Sequence, residues 1–145
     1  RYPIVSSEKL NLTSSGEQRI LVVWRIQLPS GEIAFANTHF GLDAAERAEQ
    51  AEQTQAMLVG EPRAILLGDL NEQPGGAVET TLSSLLTDVW PVAGDGTPGY
   101  TIPATTPDRR IDYIFVANGW APPFDATVVD TTASDHRPVS VTLYR

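Results

Sequence analysis

Asp69 and Asn71 stand two positions apart, directly after the apolar run Ala64-Ile65-Leu66-Leu67 and Gly68. The run does not alternate, so it reads as a short strand buried on both faces. A glycine there lets the chain turn or come close to a ligand. In an extended segment, residues two apart point the same way, which puts Asp69 and Asn71 on one side of the strand's carboxyl end. Open α/β sheets keep their ligand crevice at that end. A hard, acceptor-rich pair at such a mouth suits a magnesium-type ion or a water about to lose a proton. A polar loop after a strand would look the same, and so short a motif does not decide between them.

Further polar groups sit where strands end or begin. Asn37-Thr38-His39 closes an apolar segment, Asp112 lies within Arg110-Ile111-Asp112-Tyr113-Ile114-Phe115, and Ser134-Asp135-His136-Arg137-Pro138 precedes the last apolar stretch. Each has an ordinary explanation. His39 could cap a strand end, Asp112 could pair with a neighbouring Arg, and Asp135-His136 could form a turn. Burying a carboxylate such as Asp112 is costly without a partner. Taken together the groups make a coherent chemistry. Asp112 accepting from one ring nitrogen of His136 would fix its tautomer and support an imidazolium. Asp69 and Asn71 would position and deprotonate a water, and Asp135 would help hold a divalent cation. His39 and Arg19 would donate to phosphate oxygens as charge builds up during in-line attack of water on phosphorus.

The elements that must carry these residues follow from periodicity. Residues 19–28 read as a strand with Ile20, Val22, Trp24, Ile26 and Leu28 alternating with Leu21, Val23, Arg25 and Gln27. Pro29-Ser30-Gly31 turns it into a second strand, residues 32–38. Asp43 and Glu46 have capping-box spacing for a helix running to about Val59, with a stripe of Ala44, Ala48, Ala51, Gln55 and Leu58. Val78, Leu82, Leu85 and Leu86 mark a second helix, and Asp88 to Val92 reads as a short extended piece. Residues 91–108 are rich in Gly, Pro and Thr without a period, and a loop of that kind is functional or mobile. Strands are expected at 110–116, 126–129 and 138–144. At the start, Tyr2, Ile4 and Val5 suggest a brief strand and Ser6 to Lys9 a turn. Asn11-Leu12-Thr13 matches a glycosylation acceptor only as a chance pattern.

Composition narrows the classes. The chain's 145 residues suffice for one domain with a real core. No apolar run approaches a membrane span and no signal-like segment opens the chain. A soluble protein is expected, with cytoplasmic and secreted settings equally compatible. Cysteine is absent, which rules out disulfides, thiolate metal sites and cysteine nucleophiles. The formal charge of −8 argues against broad non-specific binding to nucleic acid, which needs cations facing phosphates.

The ordered set Asn37-Thr38-His39, Gly68-Asp69-Leu70-Asn71, Arg110-Ile111-Asp112-Tyr113-Ile114-Phe115 and Ser134-Asp135-His136-Arg137-Pro138-Val139 resembles the endonuclease/exonuclease/phosphatase superfamily. That group includes pancreatic-type deoxyribonuclease, abasic-site endonucleases, sphingomyelinases and inositol polyphosphate 5-phosphatases. The likeness runs from Arg19 to the C-terminus. It implies an α/β (α+β) fold, a layered α/β/β/α sandwich of mostly antiparallel sheets, and metal-dependent hydrolysis of a phosphodiester or phosphomonoester.

By the same resemblance the catalytic set is Asp69, Asn71, His136, Asp112 and His39. Arg19, Asn71 and His39 bind the substrate phosphate, and Asp135, Asp69 and Asn71 hold Mg2+ (or Mn2+). Family members open with a strand ending in asparagine and then present a glutamate metal ligand. Neither is found in that context here, so residues 1–145 are expected to form an incomplete domain lacking the N-terminal part of the fold. Such a chain should be weakly active and should self-associate through an exposed sheet face. The expected partner is a phosphate-ester substrate, with nucleic acid among the candidates. A catalytically inactive relative serving as a binding module is the alternative.

Overall fold

The row of apolar residues in each strand decides which face of the sheet becomes core, and the two faces come out very differently. The computed structural model describes residues 1–144. Strands β1 (Ile4–Asn11), β2 (Ile20–Leu28) and β3 (Gly31–His39) form an antiparallel meander. Helix α1 (Ala44–Leu58) then crosses back, so that β4 (Ala64–Asp69) lies parallel to β3. Helix α2 (Ala77–Ser83), β5 (Leu86–Asp88), the short α3 (Trp90–Ala93) and β6 (Asp112–Ala117) follow. The order in this sheet is β1-β2-β3-β4-β6-β5. A hairpin of β7 (Phe124–Val128) and β8 (Val139–Thr142) forms a second, two-stranded sheet.

Leu21, Val23, Ala34, Ala36, Leu66, Tyr113 and Phe115 share one face of the large sheet and are buried under α1 and α2. On the other face Ile33, Ile65, Ile114 and Val116 meet Val139, Val141 and Leu143 from the hairpin. The hairpin reaches only part of that face. Ile20 on β2 is 37% exposed, and Trp24 and Phe35, tilted against each other with centroids 6.3 Å apart, are half-buried.

Several expectations are revised by the fold. Residues 6–9 are strand, not turn. β1 is an exposed edge strand, so burial imposes no apolar alternation on its sequence. The strand expected at 138–144 is the shorter β8, and it pairs with β7 outside the large sheet. Leu86 begins β5 rather than ending α2, and residues 90–93 are helical rather than extended.

Helix α1 begins as the sequence suggests, with Asp43 accepting from the Ala45 and Glu46 amides at 2.9 and 3.0 Å. Its inward stripe, however, is Gln50, Ala51, Thr54 and Leu58. Gln50 is buried because its carboxamide serves two otherwise unpaired backbone groups. It accepts from the Gly41 amide at 2.8 Å and donates to the Thr13 carbonyl at 2.6 Å. Glu46 does not close a capping box; it accepts instead from the Ser15 amide at 2.7 Å. Among the described residues, no helix is long and apolar enough to cross a membrane.

Candidate functional site

Register assembles the site. β3 pairs with β4 so that His39 lies opposite Asp69, and β4 pairs with β6 so that Asp69 lies opposite Asp112. Directly opposed residues in a sheet share a face. The three side chains therefore form a row across three adjacent strands, on the face covered only in part. Gly68 makes the row possible in a way its sequence context does not reveal. A Cβ at that position would sit 2.3 Å from the Thr38 carbonyl oxygen of β3. The glycine answers the close approach of the neighbouring strand rather than that of a ligand.

Beyond the strand, the two-residue alternation no longer applies. β4 ends at Asp69, Leu70 turns inward and is buried, and Asn71 takes a left-handed conformation at φ 51°. Asp69 and Asn71 are held together by an Asx turn, the Asn71 amide donating to Asp69 Oδ1 at 2.8 Å. The Asn71 carboxamide nitrogen then donates to the Phe40 carbonyl at 2.9 Å and lies 3.1 Å from His39 Nε2.

His136 arrives from the segment leading into β8. Its Nδ1 lies 2.8 Å from Asp112 Oδ2, which leaves Nε2 facing Asp69 Oδ2 at 4.0 Å. His39 Nε2 approaches the same Asp69 oxygen at 3.5 Å. Asp69 thus stands between two imidazoles. The histidine side chains differ in exposure, 55% for His39 and 26% for His136. Asp112 finds its partner in His136, whereas the neighbouring Arg110 pairs with Asp88 at 2.7 Å and lies over the Tyr113 ring at 4.5 Å.

Burial pushes the Asp69 carboxyl up from its ordinary value. The Asn71 amide pulls it back, Asp112 raises it further, and the two histidines lower it. Burial beside a second carboxylate favours the neutral acid, and a cation bound there would favour the ionised form. Asp69, Asp112 and His136 offer ligand atoms that all lie within 4.8 Å of one another. The donors are hard oxygens and one imidazole, which suits a divalent cation of the magnesium or manganese type. A crevice of about 430 Å3 opens beside them, lined by Asn37, Leu67, Asp69, Asp112 and His136 among others. A larger cavity of about 620 Å3, bounded by Trp90, Tyr100 and Arg110, contains none of the row.

Two expected site residues make none of these contacts among the described residues. Asp135 is exposed, its carboxylate accepting from Ser134 Oγ at 3.1 Å, and it lies outside the three-residue donor set. Arg19 precedes β2 at the same end of the sheet as His39, since Leu21 pairs with Thr38. Its guanidinium lies 3.4 Å from Glu17. One residue at the site carried no sequence signal. Thr101, wholly buried, donates from Oγ1 to Asp112 Oδ2 at 2.5 Å. It lies in the Gly- and Pro-rich segment, which has no periodicity to mark a buried position.

Comparison with known proteins gives three results. The family model described as "Endonuclease/Exonuclease/phosphatase family" matches residues 1–136. No curated protein matches the chain. Among solved structures, the fold is similar to an endonuclease/exonuclease/phosphatase family protein from Bacteroides thetaiotaomicron, with a TM-score of 0.82 at 24% identity over 97% of this chain and 64% of that one. A mannosyl-6-phosphatase from B. thetaiotaomicron VPI-5482 aligns with a TM-score of 0.75 at 24% identity, covering 99% and 67%. The human Nocturnin catalytic domain with bound sulfate gives 0.74 at 21%, covering 98% and 61%. The chain spans about two thirds of the length of these structures.

Proposed function

The chain belongs to the endonuclease/exonuclease/phosphatase family, and on that premise we propose that it carries a phosphoesterase site built on the row His39, Asp69, Asp112 and closed by His136. The observation that carries the reading is the row itself: cross-strand register sets two carboxylates and a histidine on one face, and a second histidine is hydrogen-bonded to the end of it.

The reaction is hydrolysis of a phosphodiester or phosphomonoester. Water attacks phosphorus in line with the ester oxygen that leaves, and gives its proton to Asp69. His136, as an imidazolium supported by Asp112 at Nδ1, donates from Nε2 to a phosphoryl oxygen as charge builds up. His39, the more exposed imidazole, stands where the leaving oxygen can take a proton. Asn71 holds His39 and the turn after Asp69 in place, and Arg19, at the same end of the sheet, supplies a further donor to the phosphate. Enzymes of this family are generally divalent-metal dependent, and a bound Mg2+ or Mn2+ would polarise the phosphoryl group and stabilise developing negative charge. Asp69 is the residue common to the donor set in the fold and to the set Asp69, Asn71 and Asp135 expected from sequence.

The likeness to a mannosyl-6-phosphatase and to Nocturnin keeps both sugar phosphates and nucleotides among the substrates to test. The net charge of −8 favours a small anionic ester over duplex nucleic acid. Self-association through the β2–β3 part of the half-covered face belongs to the same proposal, supported by exposed Ile20 beside half-buried Val22, Trp24 and Phe35.

A substrate panel tests the function. Bis(p-nitrophenyl) phosphate, p-nitrophenyl phosphate, a sugar phosphate and a dinucleotide are incubated with this chain, and with any longer protein that contains it, in magnesium and in chelator. Magnesium-dependent release from at least one ester is expected. No turnover of any of them by the longer protein, with the fold intact by circular dichroism, would instead favour a binding module.

A further inference from the structure

The segment between α3 and β6 is pinned on Trp90 and, a few residues later, buries a threonine hydroxyl against Asp112. The indole Nε1 donates to the Thr97 carbonyl at 2.8 Å. The returning chain passes so close to the ring that a Cβ on Gly99, itself at φ +70°, would lie 2.3 Å from Trp90 Cε2. Two residues later comes Thr101, with no exposed surface.

Thr101 is tied at its amide, carbonyl and hydroxyl. Its amide donates to the Arg109 carbonyl at 2.8 Å, and its carbonyl accepts from the Arg137 amide at 2.7 Å. The hydroxyl donates to Asp112 Oδ2 at 2.5 Å and accepts from the Ile111 amide at 3.5 Å. An ionised carboxylate only accepts, and the Ile111 amide only donates, so the direction of the Thr101 proton is fixed. Asp112 Oδ2 is the same oxygen that faces His136 Nδ1. A single buried residue therefore holds the carboxylate through its side chain and, through its carbonyl, the backbone beside His136.

We propose that Thr101 is the positioning residue of this site: its hydroxyl locks the Asp112 carboxylate in the one orientation that keeps the His136 proton on Nδ1 and turns Nε2 toward Asp69. The claim that this matters for turnover rests on the phosphoesterase reading above; the claim about orientation does not. A carboxylate with only the histidine as partner is free to rotate about its terminal bond. The imidazole then loses the fixed acceptor that selects its tautomer.

The test replaces Thr101 with Val, which keeps the shape and removes the hydroxyl, and with Ser, which keeps the hydroxyl. Thr101→Ala repeats the first arm with a smaller side chain should the valine disturb folding. The first readout is the tautomer of neutral His136 in the 15N-labelled chain, by long-range nitrogen–proton correlation. The protein has two histidines, so His39 serves as the internal control. Wild type and Thr101→Ser should carry the proton on Nδ1, while Thr101→Val and Thr101→Ala should show mixed tautomers at His136 and an unchanged His39.

The second readout is kinetic. Thr101→Val should lower kcat by about tenfold to a hundredfold at nearly unchanged KM, with Thr101→Ser close to wild type. A neutral wild-type His136 that carries its proton on Nε2 overturns the proposal without any variant. So does a Thr101→Val chain that keeps both the wild-type tautomer and kcat, or a Thr101→Ser chain that behaves like Thr101→Val. Absence of turnover in wild type would count against the function, and the tautomer would then decide the role of Thr101 alone.

Discussion

The two faces of the large sheet are built from the same strands and have opposite characters. The helix face is apolar and closed: Leu21, Val23, Ala36, Leu66 and Phe115 are all at or near zero exposure under α1 and α2. The hairpin face is apolar along its middle, but at the carboxyl ends of β3 and β4 it carries His39 and Asp69, with Asp112 alongside, and it is only partly covered. Both faces bury apolar residues, but only the helix face is closed along its length. Charged groups can be kept half-buried beside a crevice because the opposite side of the same strands is a packed core.

The largest effect should come from the closed face. Phe115→Ala removes a fully buried ring stacked on Tyr113 at 5.5 Å. Its expected cost is about 3–5 kcal/mol of folding free energy, read as a lowered urea midpoint. A loss no greater than that of an exposed substitution would break the contrast between the faces.

His136→Ala should do the reverse. The side chain is one-quarter exposed, so its loss should leave the urea midpoint close to wild type. Turnover, however, should fall by about a hundredfold or more. A variant that loses stability as heavily as Phe115→Ala, with its turnover intact, would assign His136 to the core instead.

A smaller effect separates the faces by pH. Burial raises the Asp69 carboxyl above its ordinary value. A carboxyl raised by folding contributes stability that is complete below its unfolded pKa and lost as pH rises through the folded one. In chelator, the chain should therefore lose a share of its stability as pH climbs from the ordinary carboxylate range past the raised value. Asp69→Asn should flatten that part of the profile, and magnesium should restore wild-type stability at neutral pH. Thermal melts across pH, with and without the ion, make the comparison. A wild-type profile that rises over the same window, with Asp69→Asn unchanged from it, would contradict the sign.

The smallest effect concerns the uncovered part of the hairpin face. Light scattering should show association at high protein concentration, reduced by Trp24→Ser. A monomer at all concentrations would mean that the exposed row around Ile20 is tolerated in water.

The site was more legible in the sequence than the path of the chain around it. Asp69, Asp112, His39 and His136 are polar residues at the ends of apolar runs, an expensive placement that stands out without coordinates. Their alignment into one row was not legible, because register between strands far apart in sequence leaves no local mark. Gln50 and Thr54 were hidden for a related reason. Gln50 is buried to satisfy backbone groups of distant loops, so its polarity points the wrong way in a helical pattern. Thr101 was hidden most completely, since a buried hydroxyl in an aperiodic loop has no sequence signature at all. β1 was expected only as a brief strand at its start, around Ile4 and Val5, because an exposed edge strand has no buried face to impose alternation on residues 6–9.

The central claim is that Asp69, at the middle of the row, does the chemistry for which the half-covered face is kept polar. Its most direct test is the turnover of Asp69→Asn on the best ester of the panel, measured at saturating magnesium in the longest active form of the protein. The substitution keeps the shape of the side chain and an oxygen for the Asn71 amide, and removes the charge and the base. Turnover should fall by about a hundredfold or more with a urea midpoint at or above wild type. Wild-type turnover in that variant would contradict the claim.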